Sequence, residues 1–322
     1  MLAFFVVMAI GIGDSNLRAL IIAGSNGFTN YRHQADVCHQ YHLFTSVIET
    51  LDVTLMMYDD VAWSHRNPLI GRLFNRPNGT NVYDGCVTDY RKEQVSLDNF
   101  VGEMGRLAGS IQSNSTSFIS FVDHGQPGYL LLPNGERLDA ETLMHSLVTL
   151  SDASPSSMIL VYVEACHAGS LFEGREIPPR TLIVTAANAT ESSWAAYCPT
   201  PKHPLADVIN GVHIGACLGD LFSVTWVNDI ETRLRNGESP TLRTHIEAVK
   251  SVVSKKSNVM VYGDMSLLDV NLFEIFRPFK NWSSHDVSEG IDQTVMIESA
   301  QPQLCPESIK NIPETVNTEV IM

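Results

Sequence analysis

Five runs of consecutive apolar residues stand out along the chain and predict buried β-strands. These runs cover residues 17–24, 53–60, 116–125, 158–166 and 180–188. Their apolar residues follow one another instead of alternating with polar ones, as in strands that are buried on both faces of a parallel sheet. Helix-like segments lie between or after them, at residues 30–51, 96–109, 139–151 and 242–256. This alternation predicts an α/β fold with an open, mostly parallel sheet flanked by helices.

The two ends of the chain differ from this pattern. Residues 2–12 form an apolar run that is too short to cross a bilayer as a helix. The run matches the core of a signal peptide, with Gly11 and Gly13 near a cleavage point, although no Lys or Arg precedes it. A buried first strand is the alternative, but residues 17–24 already supply one. We therefore predict a signal peptide over 1–13, a folded domain over 14–280, a polar C-terminal extension over 281–322 and no stable insertion into a membrane.

Charge and sequence motifs favour an exported protein. Asp and Glu outnumber Lys and Arg by 36 to 21, which gives a formal net charge of −15 at pH 7. This balance argues against nucleic acid as a partner, because phosphate binding requires basic patches. It suits an acidic lumen, although cytosolic proteins can be equally acidic. N-glycosylation sequons at Asn78, Asn114, Asn188 and Asn281 agree with export.

The cysteines predict neither a metal site nor a disulfide framework. They are Cys38, Cys86, Cys166, Cys198, Cys217 and Cys305. They form no CxxC pair, which argues against zinc, and a chain of this length can fold without disulfides. One or two disulfides are compatible with the sequence, for example between Cys198 and Cys217, but the connectivity cannot be read from it.

Polar residues follow two of the apolar runs, where a parallel sheet collects its functional groups. The third run ends in "VDHG" and the fourth in "EACHAGS". Cysteine catalysis requires a thiolate, a base that accepts its proton and donors for the oxyanion. Because neighbouring strands are about 4.8 Å apart, Cys166 and His124 can meet across a substrate, and the amide of Gly125 can approach it closely. His167 is a poor candidate for the base, since successive side chains of an extended segment point to opposite sides.

Each of these residues also has a purely structural interpretation. A single Cys at a strand end is more often a small core residue, and a single His after a strand is more often a hydrogen-bonded structural residue. Glu164 differs from them, because burying a carboxylate without a partner costs free energy. The combination of strand-Asp-His-Gly with strand-Glu-Ala-Cys is more specific than any single member.

Longer motifs identify a family that the chain resembles. They are "AGSNGFTNYRHQADVCH", "MMYDDVAWSHRNP", "NRPNGTNVY", "DHG", "EACHAGS", "AANATESSWA", "LGDLFSVTW" and "VMVYGD". In this order, between about residues 17 and 263, they resemble the legumains, the asparaginyl endopeptidases of the caspase-like clan of cysteine peptidases. The resemblance implies a caspase-like fold and makes residues 14–280 a legumain-like peptidase domain. The related transamidase that attaches lipid anchors is less similar, because it lacks the "AGSNG" and "NRPNG" motifs.

The resemblance assigns catalytic roles residue by residue. It implies that Cys166 is the nucleophile and His124 the general base. It implies that Asn26 helps to orient the histidine, since an amide oxygen can accept from one ring nitrogen and so fix the tautomer. The alternative for Asn26 is a turn residue before Gly27. The oxyanion donors would be the backbone amides of Cys166 and Gly125, and no cofactor is implied.

The legumain specificity pocket corresponds to Arg32, His33, Glu164, Ser192 and Asp220. A primary amide both donates and accepts hydrogen bonds, so a pocket with a guanidinium and carboxylates satisfies both ends of an asparagine. The expected reaction is hydrolysis after Asn near neutral pH, and after Asp at acid pH, through a thioester acyl-enzyme. A peptide ligase with the same thioester is one alternative, and a non-catalytic binding protein is another. Taken singly, Arg32 and Asp220 would be solvated surface charges.

The resemblance also implies partners and a location. The partners are protein and peptide substrates with Asn at P1, and cystatin-type inhibitors. The location is the secretory pathway, in a lysosome- or vacuole-like acidic compartment, at the cell surface or outside the cell. Two features depart from the family: His167 replaces an acidic residue, and the segment after Gly263 is shorter than the family's helical prodomain. We expect His167 to be dispensable, and we expect control by the tail in another way or by compartment, pH or inhibitors.

Overall fold

The computed structural model describes residues 17–47, 52–276 and 293–303. The predicted signal peptide, the sequon at Asn281 and the extension except for residues 293–303 lie outside the described residues. Within the described part of the chain, no helix is both long and apolar enough to cross a membrane.

Strands and helices alternate along most of the described chain. The strands are β1 (Leu17–Ala23), β2 (Asp52–Met56), β3 (Thr116–Val122), β4 (Gly125–Gln126), β5 (Tyr129–Leu131), β6 (Arg137–Asp139), β7 (Met158–Glu164), β8 (Thr181–Thr185), β9 (Trp194–Ala196), β10 (Val208–Ile209), β11 (Val212–His213), β12 (Gly219–Asp220), β13 (Met260–Gly263) and β14 (Gln301–Pro302). The α-helices are α1 (Tyr31–Val47), α2 (Leu97–Ser110), α3 (Ala140–Ala153), α4 (Leu221–Asn236), α5 (Leu242–Val253), α6 (Leu272–Ile275) and α7 (Gln293–Glu298).

Six strands form the central sheet, in the order β13-β8-β7-β3-β1-β2. All neighbours run parallel except β13, which is antiparallel to β8 at one edge. Every residue of β7 is buried, as expected for a strand that is covered on both faces. The prediction of an α/β fold with an open, mostly parallel sheet flanked by helices is therefore confirmed.

Helices cover both faces of this sheet. Leu160 and Tyr162 of β7 join a core cluster with side chains of α1, α4 and α5. Ile159, Val161 and Val163 join a second cluster with side chains of α2 and α3. Neighbouring residues of a strand point to opposite faces, so α1, α4 and α5 lie on one face and α2 and α3 on the other.

The strands end earlier than their apolar runs predict. The runs 116–125 and 158–166 contain strands that end at Val122 and Glu164. After these two points the chain leaves the central sheet at the carboxyl ends of its parallel strands. This end of the sheet carries the candidate site.

Two disulfides lie in the described part of the chain, Cys38–Cys86 and Cys198–Cys217. The pairing of Cys198 with Cys217, which the sequence left open, is thus observed. This bridge closes the connection between β9 and β12, which pair antiparallel at Ala196 and Gly219. Cys166 takes no part in a disulfide.

Candidate active site

The register of the central sheet brings Cys166 and His124 to the same edge. Val122, the last residue of β3, lies opposite Glu164, the last residue of β7. His124 and Cys166 each come two residues after this pair, and the amide of Asp123 donates to the carbonyl of Glu164 at 3.0 Å. The equal offset places His124 and Cys166 just beyond the same ends of two neighbouring strands, and the thiol of Cys166 is buried.

Gly125 lies against the main chain of Cys166. A Cβ atom at Gly125 would lie 2.2 Å from the carbonyl oxygen of Cys166 and 3.0 Å from the side chain of Ala165. Only a residue without a side chain fits here, because these contacts are shorter than van der Waals distances. The role of its amide as an oxyanion donor remains a prediction.

The amide that contacts His124 belongs to Asn30 and not to Asn26. Oδ1 of Asn30 is 2.9 Å from Nε2 of His124. The side-chain nitrogen of Asn30 donates to the backbone carbonyl of Asn26. The side-chain oxygen of Asn30 is therefore the atom that faces His124, and because this oxygen can only accept, Nε2 of His124 carries the proton. Nδ1 of His124 is then the basic nitrogen, and it has no hydrogen-bond partner among the described residues.

The prediction for Asn26 therefore needs a correction. Its side chain donates to the carbonyl of Pro133 at 2.9 Å, so its amide shapes the loop after β1. A 3-10 turn over Phe28–Asn30 follows Gly27, which has φ 80°, and this turn carries Asn30 back towards the strand ends. The asparagine in "GSNG" is typical of a turn. The sequence feature that could have identified Asn30 is its position at the start of a predicted helix.

Burial keeps His124 neutral. Desolvation and the nearby charge of Arg32 lower the pKa of His124 to about 3. A neutral imidazole can accept the proton of a thiol directly. The geometry therefore supports a base whose Nδ1 is available and whose Nε2 is held by Asn30.

His33 lies between the predicted general base, His124, and the predicted pocket. Its Nδ1 is 2.6 Å from Oγ of Ser25 and 3.1 Å from Oδ1 of Asp123, and its ring lies edge-on to that of His124 at 5.0 Å. Its Nε2 is 3.4 Å from Oδ2 of Asp220. Burial, the charge of Arg32 and the neighbouring His124 hold the pKa of His33 well below its usual range.

This area also contains the residues best placed to hold a metal ion. Within the described ranges, one possible ligand atom each of His33, Asp123 and His124 lie within 4.8 Å of one another. Burial raises the pKa of Asp123 well above its usual range, which favours the protonated acid over a ligating carboxylate. Nε2 of His124 already contacts Asn30.

Arg32 and Asp220, two residues of the predicted pocket, form a buried ion pair. Nε of Arg32 donates to Oδ1 of Asp220 at 2.8 Å, and both side chains are buried. Oε2 of Glu164 accepts from the amide of Ser223 at 3.1 Å. The structure thus brings together the predicted Arg32, His33, Glu164 and Asp220.

The pocket holds more acidic than basic groups. Burial, followed by the charge of Asp220, raises the pKa of Glu164 well above its usual range. Burial also raises the pKa of Asp220, although Arg32 acts in the opposite direction. A buried site with one guanidinium and several carboxylates favours protonation of some of them. Ser192 is half-buried in the segment before β9, and its contact with a substrate remains a prediction.

The tail of the chain occupies this pocket. Gln301 and Pro302 of β14 pair antiparallel with Ala195 and Trp194 of β9. The amide of Gln303 then donates to the carbonyl of Ser193 at 2.9 Å. The tail therefore adds a strand to β9, which is a common way of binding an extended peptide.

Gln303 makes two further contacts in the site. Its side-chain nitrogen donates to Oδ1 of Asp220 at 2.8 Å, and its carbonyl oxygen lies 3.8 Å from Sγ of Cys166. Its side chain is buried. Sequence reasoning missed this residue, because nothing in the polar tail distinguishes Gln303 from its neighbours.

The residues before Gln303 attach the tail to the domain. Met296 of α7 is buried in the core cluster of α1, α4 and α5. Ser299 is fully buried, and Glu298 forms an ion pair with His203 at 3.1 Å. The described segment of the predicted C-terminal extension is thus packed against the domain.

His167 faces a neighbouring loop. Its Nδ1 is 3.2 Å from the carbonyl of Ala189, and its backbone adopts a left-handed conformation with φ 54°. The chain has therefore left the extended conformation at this point, so the predicted alternation of side chains does not apply. Because a carbonyl only accepts, Nδ1 of His167 carries the proton, and the ring is held against the loop that contains Ala189.

Comparisons with known proteins identify the family of this chain. The profile of the peptidase C13 family matches residues 18–284. A vacuolar-processing enzyme of Arabidopsis thaliana, delta-isozyme, is 36% identical over 266 residues, which are 78% of this chain and 56% of that protein. The legumain of Canavalia ensiformis is 36% identical over 275 residues, covering 79% of this chain and 56% of that protein. The chain thus spans little more than half the length of these relatives.

Structural likenesses are more distant. A protein of Geobacter sulfurreducens aligns with a TM-score of 0.51 at 10% identity, over 80% of this chain and 98% of that one, which is a likeness of fold alone. Caspase-1 from Spodoptera frugiperda aligns with a TM-score of 0.47 at 11% identity, over 78% of this chain and 87% of that one. The family follows from the sequence match: because it extends over residues 18–284, the chain belongs to the peptidase C13 family.

Proposed function

We propose that this chain is a cysteine endopeptidase that hydrolyses peptide bonds after Asn, and after Asp at acid pH, through a thioester acyl-enzyme. The observation that carries the proposal is the position of Gln303. Its primary amide contacts Asp220, its backbone amide contacts Ser193 and its carbonyl oxygen lies next to Cys166. A substrate bound with its P1 side chain in the pocket would make these contacts.

In the proposed reaction, Nδ1 of His124 takes the proton of the Cys166 thiol as sulfur attacks the carbonyl carbon of P1. The contact between Nε2 and Asn30 supports this tautomer. The amides of Cys166 and Gly125 stabilise the oxyanion. The peptide C–N bond then breaks, the amine leaves with the proton from His124, and water hydrolyses the thioester.

The charges of the pocket explain the proposed preference for Asn. The amide nitrogen of a P1 Asn donates to Asp220, and its oxygen accepts from Arg32. A P1 Asp would bring a further carboxylate beside Asp220 and Glu164, which is unfavourable unless one of these groups is protonated. Nε2 of His33 lies 3.4 Å from Oδ2 of Asp220, and Ser192 is proposed to contact the P1 side chain.

The tail acts as an intramolecular competitor in this proposal. It pairs with β9 as a substrate would, and Gln carries the same amide as Asn on a side chain that is one methylene longer. An attached segment has a high effective concentration at its site. Peptide substrates must therefore displace residues 301–303.

A peptide ligase with the same thioester is the second candidate. An amine can attack a thioester at Cys166 as water can, and a site that excludes water favours the amine. An incoming amine would then form the new peptide bond as the C–S bond breaks. Joined and hydrolysed products distinguish the two reactions.

Location and partners are part of the proposal. Asn78 and Asn114 are exposed, so sugars can be attached there. The two disulfides suit the oxidising secretory pathway, and the similar proteins of plants are named vacuolar-processing enzymes. We therefore propose an acidic compartment of the lysosome or vacuole type, with cystatin-type inhibitors as partners.

Digestion of a peptide library between mildly acid and neutral pH tests the function, with Cys166→Ala as the matched control. We expect cleavage after Asn that is lost in the variant. Cleavage after Lys, or cleavage that survives the substitution, would contradict the proposal. Mass spectrometry of the products in the presence of a second peptide measures ligation.

A further inference from the structure

A polar stripe on α1 runs from the pocket into the protein interior. Arg32, Asp36 and His39 follow one another at intervals of four and three residues, so they share one face of the helix. Arg32 reaches the pocket, whereas Asp36 and His39 lie behind it and take no part in the proposed reaction. Both are more than nine-tenths buried. Buried ionisable groups are costly, so their partners indicate their task.

Asp36 holds the main chain that carries Asp220. Both of its carboxylate oxygens accept from the backbone amide of Asp220, at 3.3 and 3.0 Å. Asp220 also precedes the first residue of α4, where helical amides lack partners within the helix. Asp36 supplies this missing acceptor from another helix. It thereby fixes the position of the main chain from which the side chain of Asp220 extends.

Asn75 connects Asp36 with the segment before Asp220. Its amide nitrogen donates to Oδ1 of Asp36 at 2.7 Å and to the carbonyl of Leu218 at 3.1 Å. Gly219 makes this approach possible, since a Cβ atom there would lie 2.7 Å from Nδ2 of Asn75 and 3.0 Å from Oδ1 of Asp36. The main chain is thus fixed on both sides of Gly219, by Asn75 at Leu218 and by Asp36 at Asp220.

His39 and Glu231 hold Asn75 from the other side. Nδ1 of His39 is 2.8 Å from Oδ1 of Asn75, and Nε2 is 2.9 Å from Oε1 of Glu231. Asn75 uses its nitrogen for Asp36, so its oxygen accepts from His39. Burial raises the pKa of Glu231, but His39 and nearby arginines outweigh it and hold this pKa below its usual range. Glu231 lies on α4. The series of contacts that starts at Asp220, just before α4, therefore returns to that helix.

We propose that Asp36 and Asn75 are specificity-determining positioning residues of the P1 pocket. They fix the main chain at Gly219 and Asp220 so that the carboxylate of Asp220 points at the amide of P1, where the tail now places Gln303. The proposal rests on the proposed function, in which Asp220 receives the P1 amide. Neither residue touches the substrate.

A purely structural network would behave differently. Its loss would reduce the amount of folded enzyme and lower the cleavage of all substrates by the same factor. Misplacing Asp220 instead changes the recognition of P1, so it changes the ratio of cleavage after Asn to cleavage after Asp. A displacement of about 1 Å can cost about a hundredfold in rate when it affects a positioned group.

The first test compares Asp36→Asn and Asn75→Ala with Glu103→Gln. Glu103 is a buried carboxylate on α2, on the other side of the sheet, where it contacts Tyr90 and Arg106. We expect kcat/KM for a P1 Asn peptide to fall about tenfold or more in the first two variants, mainly through KM. We also expect the Asn-to-Asp ratio to shift at least several-fold, and Glu103→Gln to leave the ratio unchanged. An unchanged ratio in Asp36→Asn and Asn75→Ala would overturn the proposal.

The second test does not depend on catalysis. The side-chain amide signals of Gln303 are recorded by ¹⁵N NMR in the Cys166→Ala protein and assigned by their loss in Gln303→Ala. We expect Asp36→Asn to shift these signals and Glu103→Gln to leave them in place. If the protein does not cleave after Asn, the proposed function fails, and this measurement still decides the role of Asp36. Unshifted signals would overturn that role.

A third variant covers failure to fold. Should Asp36→Asn and Asn75→Ala not fold, His39→Gln decides, because His39 lies one contact further from the pocket. We expect a smaller change of the Asn-to-Asp ratio in the same direction and a smaller shift of the Gln303 signals. A folded His39→Gln protein with unchanged ratio and signals would contradict the proposal.

Discussion

The side-chain amide of Gln303 and the guanidinium of Arg32 contact the same oxygen of Asp220, each at 2.8 Å. A residue of the tail and a residue of the pocket thus share one acceptor. A substrate amide that binds Asp220 must first replace Gln303. In the proposed function, the tail and the substrate therefore exclude each other at this oxygen.

Gln303→Ala removes this contact, and we expect it to lower KM for a P1 Asn peptide while kcat stays nearly constant. A hydrogen bond to a charged group contributes about 1.5–3 kcal/mol, so the occupancy of the pocket by the tail should fall about tenfold or more. Steady-state kinetics measure the change. Gln301→Ala is the matched control, because the side chain of Gln301 is exposed on the same short strand. An unchanged KM in Gln303→Ala would show that the tail does not compete.

Asn30→Ala should reduce kcat about ten- to a hundredfold, because the imidazole of His124 loses the acceptor that fixes its tautomer. Asn26→Ala is the control, since Asn30 contacts only the backbone carbonyl of Asn26, which survives the substitution. Burst and steady-state kinetics with one substrate separate kcat from KM. A larger loss of kcat in Asn26→Ala than in Asn30→Ala would refute this assignment.

The outcome for these two asparagines shows what could be predicted from the sequence. Apolar runs locate buried strands, and residues just after a strand end have a defined position, so Cys166 and His124 could be paired across 42 residues. Asn26 and Asn30 lie in a loop, where a single turn decides which side chain points back. The spacing of apolar and polar residues carries no information about the conformation of that turn.

The contacts of the tail and of the polar stripe on α1 could not be predicted from the sequence, for related reasons. Gln303 reaches the pocket because Met296 and Ser299 are buried against the domain, and no pattern in a polar segment signals such packing. Asp36 and His39 can be placed on one helical face from their spacing. Their partners Asn75 and Glu231 are distant in sequence, so only the folded chain brings them together.

His33 makes stability depend on pH. The folded protein holds the pKa of His33 well below its ordinary value of 6.5, so below this pH the unfolded chain binds a proton that the folded chain rejects. Stability therefore falls as the pH drops below 6.5. In His33→Gln we expect the free energy of unfolding to fall less steeply with decreasing pH, by up to about 1.4 kcal/mol per pH unit.

Urea unfolding at several pH values below neutrality measures this slope. The substitution also removes the contact with Ser25, which lowers stability at every pH and leaves the slope unaffected. His145→Gln is the control on the exposed side of α3. Equal slopes for the parent protein and His33→Gln would contradict the prediction.

His167 should be dispensable for catalysis, because its ring is held against the carbonyl of Ala189 and the proposed base is His124. We expect His167→Asn to keep most of kcat/KM. Asn tolerates the left-handed backbone at φ 54° better than Ala does, so we expect His167→Asn to be at least as stable as His167→Ala. Peptide cleavage and thermal unfolding are measured on both variants. A near-total loss of cleavage in a folded His167→Asn protein would indicate that His167 is the general base.

Gly125→Ala should abolish activity, because its Cβ would lie 2.2 Å from the carbonyl oxygen of Cys166. The main chain at both strand ends must then separate, which displaces the thiol and the amide that we expect to stabilise the oxyanion. Gly102→Ala is the matched control: its Cβ would meet nothing within 4 Å, and alanine favours the helix by about 0.5–1 kcal/mol. We expect this control to be fully active and slightly more stable. Cleavage assays together with circular dichroism separate loss of catalysis from loss of fold, and an active Gly125→Ala protein would show that the two strand ends are not in close contact.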